Sequence, residues 1–161
     1  MLSRSIHNVC IKNVIEAPEG QLIARDREIA LQDLKKTGKI RPFEDKSGPY
    51  DLSLSLEENR LVFRLKNTKG DQLPALVLSL KPYKRLIKDY FIIVQSYDEA
   101  IQGGNPSRIE AIDMGRRGLH NEGADLLMER LESKIEMDHD TARRLFTLIC
   151  VLHAGKAHIL R

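Results

Sequence analysis

The sequence predicts an α+β domain: a three- to four-stranded antiparallel meander packed against a C-terminal three-helix layer, with one additional N-terminal helix. Three observations carry this. Between about residues 50 and 80, leucines alternate with polar residues at the period of a strand. The connectors in that stretch, "EEN" and "NTKGD", are short and turn-like, as an antiparallel meander needs. From about residue 82 to 154, the apolar spacing changes to the period of a helix.

Residues 1–161 read as one domain, with an N-terminal strand and helix over about 5–38. "SIHNVCIKNV", residues 5–14, alternates loosely and predicts a first strand. "QLIARDREIALQDLKKTG" predicts the N-terminal helix, with Ile23, Ala30, Leu31 and Leu34 on one face and Ile29 outside it. Lys35 and Lys36 suit that helix's negative C-terminal end, and Gly38 is the expected stop. "KIRPFEDKSGPY" reads as a loop, punctuated by Pro42 and Gly48-Pro49.

The meander then begins. "YDLSLSL" puts Leu52, Leu54 and Leu56 on one side, and "LVFRLKN" does the same with Leu61, Phe63 and Leu65. "LPALVLSL" supplies a third strand. "PYKRLIKDYFIIVQSYDEAIQ" is a helix opened near Pro82 and closed at Gly103-Gly104. The next helix starts with Asn105 as cap and Pro106 as first residue. The last, "TARRLFTLICVLH", follows "MDHD", where Asp138 or Asp140 can cap it. From Phe146 to Leu152 it is apolar nearly all round, the mark of a helix at the centre of its domain.

Composition narrows function mainly by exclusion. Charged residues make up 30% and apolar ones 42%, ordinary for a globular protein. A net charge of +3 does not announce a nucleic-acid binder. No apolar run approaches the roughly 18 residues a membrane span needs. "MLSRSIHNVC" lacks a signal peptide's apolar core, so a cytoplasmic location is expected. Cys10 and Cys150 sit in apolar runs and read as buried, reduced thiols. No metal site and no cofactor are expected: a second cysteine pair is missing, and there is no P-loop, dinucleotide fingerprint or nucleophile elbow.

Three long strings carry a resemblance: "GPYDLSLSLEENRLVFRL", "LSLKPYKRLIKDYFIIVQSYDEAI" and "IEAIDMGRRGLHNEGADLLMERLESKIEMDHDTARRLFTLICVLH". Together they resemble the bacterial group catalogued as uncharacterised protein family two hundred and sixty-two, over about Arg25 to His153. The resemblance implies a bacterial, cytoplasmic protein with no assigned activity. It brings no functional residues to transfer.

The chain's most chemical stretch is "DMGRRGLHNEG", Asp113 to Gly123. On a continuous helix, Ile112, Leu119 and Leu126 share a side, so the apolar stripe stays in phase through the glycines. Interior glycines destabilise a helix by roughly 1 kcal/mol each against alanine, which suggests that Gly115 and Gly123 admit a close neighbour. Two helices joined at "HNEG" are the alternative. Arg116 falls within the apolar stripe and so requires a partner; Asp113, three residues earlier, is the candidate for a structural ion pair. A functional reading makes Arg116 an anion holder, with His120 and Glu122 as weak catalytic candidates.

A basic stripe is the second candidate. Lys81, Lys84, Arg85 and Lys88 share one helix face, opposite Tyr83, Leu86, Tyr90 and Val94. They crowd the first two turns, where the helix dipole disfavours cations by roughly 0.3–1 kcal/mol each. The leading expectation is therefore a non-enzymatic module binding a protein partner or an anionic ligand through Lys81, Lys84, Arg85, Lys88 and Arg116. One alternative is a small enzyme or phospho-ligand sensor with a pocket around Arg116 and His120. Non-specific RNA binding is a third and weaker reading, because the tyrosines lie on the packing side and leave no aromatic platform for bases. No membrane partner is expected, and the oligomeric state is left open.

Overall fold

The computed structural model describes residues 5–12 and 21–159. The elements run β1 (Ile6–Lys12), α1 (Gln21–Thr37), β2 (Ile40–Pro42), β3 (Tyr50–Glu57), β4 (Arg60–Lys66) and β5 (Leu76–Ser79). A 3-10 turn (Lys81–Tyr83), α2 (Lys84–Gly103), α3 (Pro106–Leu131), β6 (Ile135–Met137) and α4 (His139–Ile159) follow. The class is α+β, as the two periodicities predict. Asn13 and Val14, assigned above to the first strand, lie outside the described residues.

The meander forms as its alternation requires. Leu52 faces Leu65, Leu54 faces Phe63 and Leu56 faces Leu61 across β3 and β4, and β5 adds Leu78 beside Leu61. The β3–β4 connection is a two-residue hairpin in which Glu58 and Asn59 both take positive φ, at 52° and 63°. That pairing matches the right-handed twist of the flanking strands. The sheet order is β1-β3-β4-β5. The meander is antiparallel, but β1 joins it parallel to β3, which a return through α1 permits.

Two other features depart from expectation. The predicted loop after α1 contains β2, which pairs antiparallel with β6, Ile40 against Met137 and Pro42 against Ile135. Cys10 is exposed and only Cys150 is buried. Ile6, Val9 and Ile11 pack inward from β1, which turns Cys10 to the outer face.

All four helices form where the periodicity and caps place them. Asn105 accepts a hydrogen bond from the Arg108 N–H and opens α3. Gly104, left-handed at φ 62°, closes α2. Asp138 accepts from the Thr141 N–H at 2.9 Å and caps α4. Every residue from Leu145 to Leu152 is buried, so α4 is the central helix, packed against α1, α3 and the sheet. Among the described residues, no helix is long and apolar enough to cross a membrane.

Candidate functional site

The helix α3 is unbroken from Pro106 to Leu131, glycines included. Its two halves have different surroundings. Leu119, His120, Gly123, Ala124, Leu127 and Leu131 are buried in the C-terminal half. A Cβ on Gly123 would overlap the Phe146 ring, so the missing side chain is what lets α4 approach. Gly115 does not play the matching role: a Cβ there meets open space, as it does at Gly118. α3 packs on both α2 and α4; Phe146 of α4 fills the space beside Gly123, and no neighbouring element reaches Gly115.

Where α1, α2, α3 and α4 converge lies a polar cluster. The Arg116 guanidinium donates to Asp26 Oδ1, and Tyr90 Oη donates to Asp26 Oδ2 at 2.8 Å. The carboxylate on Arg116 is therefore Asp26 of α1, not Asp113 of its own helix. Arg116 points into the interface, whereas Asp113 lines a shallow open groove of about 550 Å³ with Ile109, Met114 and Arg117. The Asp26 side chain is 1% exposed and that of Arg116 29%. His120 packs edge-on to Tyr90 and Phe146, with ring centroids at 6.0 and 5.6 Å, and its Nδ1–H donates to the Arg116 carbonyl at 2.8 Å.

Burial governs the protonation of this cluster. It pushes the Asp26 carboxyl up, against the pull of Arg116 and of the Tyr90 hydroxyl. It lowers His120 to about 4, with Arg116, Arg143 and Arg144 also opposing a charge on the ring. Burial, then the Asp26 charge, raises both Tyr90 and Cys150, so the phenol stays a donor and the thiol stays protonated. The arrangement locks three helices together through one carboxylate. His120 is held neutral, with one nitrogen already committed to the backbone.

The other predicted residues lie on the surface. Glu122 pairs with Arg85, which also reaches Asp89 at 3.2 Å. Lys81 of the 3-10 turn and Lys84 and Lys88 of α2 are exposed on the outward side, and none of them enters an ion pair among the described residues. Ile92, one turn beyond Lys88 on the same side, is 52% exposed. Arg85 is thus tied into the α2–α3 scaffold, and the three lysines are not. Among the described residues, no group of three potential metal ligands comes together.

The sequence places Tyr90 on the packing side of α2, where it is buried, but singles out neither its hydroxyl nor Asp26. The available signal was Asp26 standing between Leu22 and Ala30 at helical i, i+4 spacing, an acid on a packing face. Arg116 broke the stripe of α3 in the same way, and two opposite charges buried on different helices are natural partners.

The family model described as Uncharacterised protein family (UPF0262) matches residues 3–155. The chain belongs to this family. Its match takes in β1, beyond the span on which the resemblance was read. A UPF0262 protein of Rhizobium etli is 51% identical over 131 residues, which cover 81% of this chain and 83% of that protein. UPF0262 proteins of Brucella canis and Brucella abortus are each 53% identical over 132 residues, covering 81% of this chain and 82% of theirs. No solved structure matches the chain.

Proposed function

We propose that this UPF0262 protein is a non-enzymatic module that docks an acidic protein surface on the outward face of α2. The observation that supports this is the set Lys81, Lys84 and Lys88, three cations without an ion pair among the described residues, beside the half-exposed Ile92. Their position near the positive end of the helix does not favour them locally, by roughly 0.3–1 kcal/mol each. An exposed isoleucine among cations suits a protein surface, with its apolar centre and charged rim, better than a small anion.

The test replaces Lys84 and Lys88 with Glu. Arg85 is left alone because it bridges to Glu122, and reversing it would disturb the scaffold. Anisotropy of a labelled peptide alternating glutamate with leucine should report binding that falls steeply between low and physiological salt. Lys84→Glu/Lys88→Glu should abolish that binding while the melting temperature stays near the parent value. Equal binding by parent and variant refutes the proposal.

A further inference from the structure

The outward side of the segment Lys81–Gly103 changes chemistry along its length. Lys81, Lys84, Arg85 and Lys88 occupy its first turns; toward its other end the exposed Glu99 lies on the same side, with the half-buried Asp98 on the shoulder of the stripe. Ile92 is the middle residue of that segment, with eleven residues on either side. It is also the exposed large apolar residue between the two charged ends.

Both ends oppose the helix's own field. The first turn of α2 contains no acid and the last no base. Cations thus sit at the positive pole and carboxylates near the negative one. The neighbouring α3 offsets part of this, through Glu122 on Arg85 and Arg108 on Glu99. Lys81, Lys84, Lys88 and Asp98 keep no ion pair among the described residues.

We infer that the occupant of this face is a second copy of the chain, its α2 laid antiparallel on the first about a two-fold axis through Ile92. The inference rests on the docking role proposed for the same face and names the partner. Antiparallel pairing sets the lysines of each copy beside Asp98, Glu99 and the negative helix end of the other. Parallel pairing would set lysines against lysines. The contact is isologous, as a two-fold requires, because one stripe carries both the cations and the acids they meet. Its centre is an Ile92–Ile92 contact rimmed by charge. One helix per copy makes a small interface, so the dimer is concentration-dependent and salt-sensitive.

Sedimentation equilibrium of the full chain, from low micromolar to several hundred micromolar, measures this directly. The expected result is a monomer–dimer equilibrium in low salt that shifts to monomer in high salt. Ile92→Arg, at an exposed position, should give a folded monomer throughout. Lys84→Glu/Lys88→Glu should dimerise about tenfold or more weakly than the parent, and Asp98→Lys, which leaves the Glu99–Arg108 pair intact, about threefold or more weakly. Mixed together, those two variants should recover a heterodimer, because both of its charge contacts are then attractive. A chain that is monomeric at every concentration, a dimer indifferent to Ile92→Arg, or no recovery on mixing overturns the inference. Loss of acidic-peptide binding in Lys84→Glu/Lys88→Glu together with a monomeric parent defeats self-association alone. Dimerisation without any acidic-peptide binding defeats the broader docking role alone.

Discussion

The two halves of α3 share a helix and differ in what they touch. Residues 119–131 pack on α4, with Gly123 under the Phe146 ring and His120 against Phe146 and Tyr90. Residues 106–118 are mostly exposed, with Met114 at 65% and Gly115 and Gly118 facing open space. Arg116 stands at the boundary and reaches inward to Asp26. The same residue types therefore do different work on the two sides. Glycine permits close packing in one half and only weakens the helix in the other.

The sharpest way to break this contrast is at the boundary. Asp26→Ala leaves the Arg116 charge without its carboxylate, and should destabilise the fold by about 3–5 kcal/mol in urea denaturation. Asp26→Leu with Arg116→Met should recover most of that loss, because an apolar pair needs no counter-charge. Failure of the double variant to recover would show that Tyr90, left without its acceptor, dominates.

His120 tests the buried half through pH. Its folded pKa of about 4 lies below the ordinary value of 6.5. As pH falls from 6.5, the unfolded chain takes up a proton that the folded one refuses, so this residue's contribution is present at neutral pH. It should be lost by about 1.4 kcal/mol per pH unit down to about pH 4. Asp26, whose carboxyl is raised, works in the opposite direction. The difference between parent and His120→Gln isolates the imidazole. Parallel stability curves for the two would contradict the buried, neutral ring.

The glycines give the smallest and most direct comparison. Gly123→Ala should cost about 1–3 kcal/mol by forcing the buried Phe146 ring aside. Gly115→Ala should stabilise the protein by about 1 kcal/mol, since nothing opposes the methyl group. Thermal melts of the two variants should therefore move in opposite directions.

Local regularity made much of this fold legible before the structure. The facing leucines of β3 and β4, the Asn105-Pro106 helix start and the continuity of α3 through its glycines each depend on residues a few positions apart. What stayed hidden depends on distant partners. β2 and β6 are three residues each, too short to show a period. The parallel entry of β1 is a choice of sheet edge, which alternation does not encode. Arg116 visibly needed a carboxylate, and the nearest in sequence was Asp113; the one in contact lies 90 residues away on α1. The basic stripe was legible as a face, but the division between a tethered Arg85 and three unpaired lysines came from where α3 puts Glu122.

The β2–β6 ribbon has a consequence for biosynthesis. Arg41 and its partner Glu136 are 95 residues apart. A ribosome adding roughly 5–20 residues per second presents the second strand roughly 5 to 20 s after the first. Through that interval β2 waits with its edge unpaired, while the hairpins of β3, β4 and β5, local in sequence, are free to assemble. The ribbon closes only once synthesis has passed Met137, well after the sheet's own strands are made.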